Sequence, residues 1–110
     1  MSSTQMLKTA VVGVTFNNRQ DVINQAIKVL NSGNSVRISL KHDKENKSST
    51  NAIAVMISDD HAGYIPNAIA SYLINYIKSA VVSSFKIYQI TKNDSYIYTL
   101  QLLITYIKEY

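Results

Sequence analysis

Apolar positions along the chain follow two spacings, which predict six strands and two helices. Runs of alternating or β-branched apolar residues, bounded by polar turn residues, are typical of strands. The predicted strands cover residues 8–16, 35–41, 51–57, 62–65, 81–91 and 95–108, with a hairpin turn at residues 92–94. Apolar residues spaced by three and four predict helices over residues 19–31 and 66–78. The element order is therefore β-α-β-β-β-α-β-β.

Local signals mark the ends of the helices. Asn17 and Asn18 offer an N-cap to the first helix, and Gly33 suits its C-terminal cap. Pro66 suits the first turn of the second helix, because a proline lacks the N–H that would have no partner there. Gly63 lies inside a predicted strand, where the missing side chain lets another backbone or a ligand approach closely.

This element order favours the α+β class with a mostly antiparallel, strongly curved sheet. Two irregularly placed helices are too few for a doubly wound parallel sheet, whereas a small barrel is compatible with them. The last strand carries apolar residues on both faces, so we expect it to be covered on both sides. The interior of a barrel, a helix or a subunit interface would each provide that cover. The last of these would make the protein a homo-oligomer through its C-terminal strand.

The 110 residues are enough for one domain with a modest core. We expect residues 1–7 to form a disordered tail and residues 8–110 to form that domain. The polar residues 1–5 lack the apolar stretch of a signal peptide, and no apolar run is long enough to span a membrane. The absence of cysteine excludes disulfides and thiolate chemistry. We therefore expect a cytoplasmic protein without membrane contact.

The sequence contains no pattern typical of a catalytic or metal-binding site. His42 and His61 lie in predicted loops and have no second His or Cys at metal-ligand spacing. His61 follows Asp59 and Asp60, and a solvated turn explains this group better than a hydrolytic site. We therefore predict no enzyme, no metal and no cofactor. The net charge of +4 permits binding to a polyanion, although solubility alone explains it as well.

Four short motifs, in this order, resemble those of HIRAN domains. Residues 11–19 read Val-Val-Gly-Val-Thr-Phe-Asn-Asn-Arg, and residues 33–40 read Gly-Asn-Ser-Val-Arg-Ile-Ser-Leu. Residues 51–55 match an Asn-Ala-Ile-x-Val signature, and residues 63–66 match a Gly-Tyr-hydrophobic-Pro step. The motifs cover about residues 8–106. The resemblance implies an OB-like β-barrel of about six strands with two helices, which binds DNA.

The resemblance also implies a ligand and a setting. In eukaryotic DNA translocases, the HIRAN domain captures the free 3′ end of single-stranded DNA at stalled replication forks. Stand-alone versions occur in bacteria and phages. A bacterial or phage-type protein that binds single-stranded DNA or its ends during repair or replication is therefore the implied role.

The resemblance assigns the binding site to particular residues. Phe16 falls where the family has an aromatic residue that stacks on a terminal base, a contact worth ~1–3 kcal/mol. Thr15 falls where the family has a basic residue, so that cation is lost. Tyr64 falls where a polar ring reaches the nucleotide. Asn51 belongs to the Asn-Ala-Ile signature, and Asn67 replaces a residue that is often basic.

The loop before that signature departs from the family. Ser49 stands where the family has an Asp that contacts the terminal hydroxyl, and Ser48 stands where it has an aromatic residue. Ser49 can still bond a hydroxyl, without the extra strength that a carboxylate gives. Arg37 and Lys41 share one face of a predicted strand and are assigned phosphate contacts, although a solvated strand face is the plainer explanation.

Two functions from different classes remain open at this point. The leading prediction is a non-enzymatic module that binds single-stranded DNA or its 3′ ends. The alternative is a protein-interaction or self-assembly domain that has lost DNA-end binding. It rests on the altered loop and on the two-sided apolar strand over residues 96–106.

Overall fold

The computed structural model describes the backbone of residues 2–92 and 95–109. The helices and strands are β1 (Ser2–Ala10), α1 (Arg19–Asn31), β2 (Ile38–His42), β3 (Ile53–Ile57), β4 (Asp60–Tyr64), α2 (Asn67–Leu73), a 3₁₀ helix (Ile74–Ser79), β5 (Val81–Lys92) and β6 (Ser95–Glu109). The α+β class and the predicted element order are confirmed. The predicted hairpin turn at Asn93 and Asp94 lies outside the described residues.

The strands form two antiparallel sheets of three strands each. The first has the order β1-β6-β5 and the second the order β2-β3-β4. A short segment, Val11 and Val12, joins them. The Val11 N–H donates to the Leu100 carbonyl at 2.9 Å, and Val12 exchanges two backbone hydrogen bonds with Tyr64, at 2.8 and 2.9 Å. The chain after β1 therefore links one sheet to the other.

The predicted OB-like barrel is not confirmed, because in the described part of the chain both sheets are open and no closed barrel is found. The gap lies between β2 and β5, which meet through side chains rather than through a backbone ladder. Val36 and Ile38 line one wall of a groove there, and Val82 and Phe85 line the other. Bulky apolar side chains between two strands keep their backbones too far apart to exchange hydrogen bonds.

The core lies between the sheets and the helices. Its fully buried members come from α1, β3, β4, α2, β6 and the segment after β4. The largest of them are Ile23, Ile53, Val55, Ile65, Leu73, Leu100, Leu102 and Ile104. Burying each such side chain contributes about 1.5–3 kcal/mol relative to leaving it exposed. Packing in this core fixes the position of one sheet relative to the other where no backbone hydrogen bonds join them.

Residues 2–7 belong to β1 and are not the disordered tail that the sequence predicted. β1 pairs with β6 over its whole length, from Ser2 opposite Glu109 to Ala10 opposite Gln101. Its first residues are polar because β1 is an edge strand, exposed on one face. Strand structure here comes from the backbone ladder with β6, which lies a hundred residues away and leaves no apolar signature in the sequence.

The predicted helix ends agree with the structure for α1 and only in part for α2. Gly33, with φ +88°, donates to the Leu30 carbonyl, and the Asn34 N–H donates to the Val29 carbonyl. This pair of bonds is a Schellman motif, which ends α1 where the glycine predicted it. α2 ends at Leu73, and the predicted helix continues as the 3₁₀ helix to Ser79.

Both edges of β6 are occupied within the chain. Residues 101–109 pair with β1, and residues 95–105 pair with β5. One face of β6 is buried in the core through Leu100, Leu102, Ile104 and Tyr106. The apolar residues on both faces of β6, for which a subunit interface was one explanation, are thus accounted for in large part by strand pairing and core packing within one chain.

Candidate functional site

Two neighbouring clefts open on the surface on either side of Tyr64. The larger, about 590 Å³, lies between the turn that follows β1 and the loop before β3, and we call it the Phe16 cleft. The smaller, about 430 Å³, lies over the outer face of the second sheet, and we call it the Lys41 cleft. Tyr64 lines both clefts, and its ring forms the wall between them.

Phe16 stands at the mouth of its cleft because of an unusual turn. Gly13 has φ +71° and Asn17 has φ +53°, so the chain reverses twice within five residues before α1 begins. Glycine and asparagine are the residues that tolerate such angles best. The reversal leaves the Phe16 side chain 64% exposed, which is rare for an aromatic ring that could have been buried in the core.

Arg19, the first residue of α1, forms the inner wall of the Phe16 cleft. Its Nη1 donates to the Gly13 carbonyl at 2.7 Å, which ties the turn to the helix. Its guanidinium carbon lies 5.8 Å from the centre of the Phe16 ring and 5.2 Å from that of Tyr64, within the range of cation–π attraction. The sequence analysis missed Arg19, since only the folded turn brings it against these two rings.

Tyr64 is held from several sides. Its hydroxyl donates to Asp43 Oδ2 at 2.7 Å, and its ring meets that of His61 edge-on, with the centres 4.7 Å apart. The hydrogen bond to Asp43 raises the pKa of Tyr64 above 10.0 and lowers the pKa of Asp43 below 3.8. At neutral pH the pair is therefore a phenol donating to a carboxylate. Such a ring is fixed in place before any ligand arrives.

His61 lies behind this wall as a neutral ring. Its Nε2 is 2.8 Å from the Gly63 carbonyl oxygen. Burial and, next, the positive charge of Arg19 lower the pKa of His61 below 6.5, while the Gly63 carbonyl and the Asp43 carboxylate oppose that shift. The net direction favours the uncharged imidazole at pH 7.

The loop between β2 and β3 is folded around the side chain of Asn46. The Asn46 side-chain oxygen accepts from the backbone N–H groups of Ser48 and Ser49, at 2.9 and 3.0 Å. The Asp43 N–H donates to the Ala52 carbonyl at 2.8 Å and closes the base of the loop. Asn46 and Ser48 face the Phe16 cleft opposite Phe16 and Arg19.

The structure brings together three of the eight residues that the sequence assigned to the site. Phe16, Tyr64 and Asn67 all line the Phe16 cleft, and Lys41 lines the adjoining one. Thr15, Ser49 and Asn51 lie in the turn and the loop that border the Phe16 cleft, but they line neither cleft. Ser49 Oγ instead accepts from the Asn51 N–H at 3.3 Å, within the loop.

Arg37, the eighth residue, lines neither cleft. It precedes β2 at the end of that strand opposite to the loop, roughly 20 Å from the loop for six residues of extended chain. There its Nη2 lies 3.5 Å from Asp59 Oδ1, and both side chains are largely exposed. Strand alternation predicted that Arg37 and Lys41 share one face. It gave no information about how far along the chain each residue lies from the clefts.

The fold and the clefts define a small α+β module with a surface site lined by aromatic and polar side chains. The family model for the HIRAN domain matches residues 4–108, nearly the whole chain. The chain therefore belongs to the HIRAN domain family, whose members are generally DNA-binding modules. Searches among curated proteins and among solved structures find no match. In the part of the chain that the structure describes, no helix is long and apolar enough to cross a membrane.

Proposed function

We propose that this protein is a non-enzymatic module that binds single-stranded DNA, with a preference for 3′ ends, in cytoplasmic DNA repair or replication. The observation that carries this proposal is the Phe16 cleft, where an exposed aromatic ring and the Tyr64 ring flank the Arg19 guanidinium. Such a combination of ring faces and positive charge is what unpaired nucleotides require.

An unpaired base has a flat apolar surface that can stack on the exposed part of the Phe16 ring. Arg19 contacts one side of the Phe16 ring, and 64% of the side chain remains exposed. A base stacked on that exposed surface contributes ~1–3 kcal/mol, whatever its identity. In a duplex the bases are already stacked on one another, so this contact favours single strands and frayed ends.

The Lys41 cleft extends the same site along the backbone of the strand. Lys41 and Lys44 line it together with Asp43 and Glu45, and the Asp43 carboxylate is engaged by the Tyr64 hydroxyl. A strand that passes over Tyr64 would place phosphates beside these lysines. Such contacts weaken with salt, because each one releases a condensed counterion.

The loop at residues 46–51 is the part of the site that would meet a chain end. Ser49 Oγ accepts from the Asn51 N–H, so its own O–H remains a donor. A hydroxyl donor binds a terminal oxygen less strongly than a charged partner does, so we expect a modest preference for the 3′ end.

Fluorescence anisotropy with labelled oligonucleotides at two salt concentrations tests the proposal. We expect a single strand with a free 3′-hydroxyl to bind more tightly than a blunt duplex, and somewhat more tightly than the same strand with a 3′-phosphate. No binding of any strand at low salt would reject the proposed function.

Two substitutions test the assigned surface. Phe16→Ala and Tyr64→Ala should each weaken single-strand binding about tenfold or more, since each removes a stacking surface. Tyr88→Ala is the matched control, because Tyr88 is an exposed aromatic residue on β5, outside both clefts. Parent-like binding by both cleft variants, with normal circular dichroism, would show that the strand binds elsewhere.

One observation favours a second candidate, self-assembly or protein interaction. Met6, Thr105 and Val81 lie side by side across the outer face of the first sheet, and Met6 and Val81 are 69% and 63% exposed. Ile107 adds to this apolar patch two residues further along β6. Light scattering over a range of concentrations separates the candidates, since a mass that stays at one chain removes the support for self-assembly.

A further inference from the structure

Arg19 is a nearly buried cation, and only 9% of the residue is exposed. Among the described residues, no acidic side chain forms a salt bridge with it. Its attraction to the Phe16 and Tyr64 rings offsets part of the cost of removing a charge from water. A buried charge is usually paired, and the described residues supply no acidic group that pairs with this one.

The Arg19 guanidinium has N–H donors that no described residue engages, and they reach the Phe16 cleft. Of its five N–H groups, one is used by the Gly13 carbonyl. Among the described residues, every fully buried side-chain nitrogen or oxygen has a hydrogen-bond partner. The other guanidinium nitrogens are therefore in contact with solvent, and Arg19 lines the Phe16 cleft.

The position of this guanidinium is fixed before a ligand binds. The Gly13 carbonyl holds one nitrogen at 2.7 Å, and two aromatic rings lie against the planar group. An added Cβ at Gly13 would lie 3.0 Å from Arg19 Nη1, so a side chain there would force the guanidinium to shift. A planar, fixed fork of N–H donors matches the oxygen geometry of phosphate better than a flexible lysine does.

We propose that Arg19 forms an anion subsite in the Phe16 cleft, which binds the phosphate next to the base that stacks on Phe16. The subsite rests on the proposed function and specifies how the strand is held. Because Arg19 lies against the Phe16 ring, the bound phosphate belongs to the stacked nucleotide or to its neighbour. It is either a linkage of the backbone or a terminal phosphate, which share the same chemistry.

Single strands carrying one uncharged methylphosphonate linkage, moved through the first three positions from the 3′ end, identify the phosphate. We expect one position to weaken binding by the parent protein about tenfold, because a hydrogen-bonded charge is lost there. Arg19→Gln should bind the unmodified strand weakly and lose no further affinity from that substitution. Arg19→Lys should fall between the two, since it keeps the charge and loses the fork.

Arg37→Gln is the matched control, because it removes the same charge from an exposed residue that lines neither cleft and should keep the parent's pattern. Thermal unfolding shows whether each variant is folded. If Arg19→Gln does not fold, the comparison rests on Arg19→Lys and the parent.

The outcomes separate the subsite from the function it serves. A strand with a 3′-phosphate that binds more tightly than the free hydroxyl, and only when Arg19 is present, would place a terminal phosphate on Arg19. Equal losses at every linkage in the parent and in the Arg19 variants would overturn the subsite while DNA binding stands. A parent that binds no strand would overturn both.

Discussion

Gly63 lies where β4 packs directly against the segment that links the two sheets. An added Cβ there would lie 2.6 Å from Val11 Cγ1 and 2.7 Å from the Val12 carbonyl oxygen. The sequence predicted a close approach at this glycine, and the partner is the backbone that links the sheets. Because that backbone is also held by Tyr64 and Leu100, it cannot move aside without losing hydrogen bonds.

Gly63→Ala should therefore lower the free energy of unfolding by about 2 kcal/mol, from overpacking at the junction. Urea denaturation measures the loss. Gly33→Ala is the comparison, since an added Cβ at Gly33 meets nothing within 4 Å and only its positive φ is strained. A smaller loss at Gly63 than at Gly33 would contradict this reading of the junction.

The site illustrates which residues a sequence can and cannot assign. Phe16 and Tyr64 were predicted because each belongs to a short motif that resembles those of HIRAN domains. Arg19 and Asp43 were missed because their roles depend on side chains that approach from other parts of the chain. The signal for Arg19 was its place after a Gly-x-x-Phe-Asn-Asn turn, and only the two positive φ angles turn its side chain back onto Gly13.

Between elements, Gln20 joins the start of α1 to β6. Its side-chain amide donates to the Tyr98 carbonyl at 3.0 Å and accepts from the Tyr98 N–H at 2.8 Å. The same nitrogen also donates to the Val14 carbonyl at 2.9 Å. The amide thus pairs with β6 as a neighbouring strand would, just beyond the point where β1 has left it.

Gln20→Ala should lower the free energy of unfolding by about 1–3 kcal/mol, because partly buried backbone groups of Tyr98 and Val14 lose their partner. Gln25→Ala, at an exposed position of the same helix, should change it by less than about 0.5 kcal/mol. Chemical denaturation of both variants checks the difference. Equal effects would mean that water replaces the amide without loss.

Elements with a strong internal pattern were predicted well, and those that depend on a partner were not. α1 has both an apolar stripe and a glycine cap, and its bounds are as predicted. β1 has neither, since its polar residues face solvent and its order comes from pairing with β6. The gap between β2 and β5 could not be predicted from the sequence either, because only the packed side chains determine whether two strands approach closely enough to pair.

At the scale of the molecule, His61 couples stability to pH. It lies near the junction of the sheets, facing Tyr64, Arg19 and Asp43, and its pKa in the folded protein is below 6.5. As pH falls through 6.5, the unfolded chain takes up a proton that the folded protein does not. The unfolded state therefore binds more protons in this range, and stability decreases towards acid until the folded pKa is reached.

Thermal unfolding at pH 7.5 and 5.5 measures this dependence. The parent should lose more stability between these values than His61→Gln, which has no imidazole at that position. Parallel losses in the two proteins would show that another group governs the effect.

The pairing of Ser2 with Glu109 places the two ends of the described chain side by side. β1 then runs nine residues, about 27 Å, before the chain reaches the turn that carries Phe16. A dye, an affinity tag or a surface anchor attached at either end would sit at the same corner of the molecule, well away from the clefts. Immobilising the protein by its first or its last residues should therefore leave the site equally accessible.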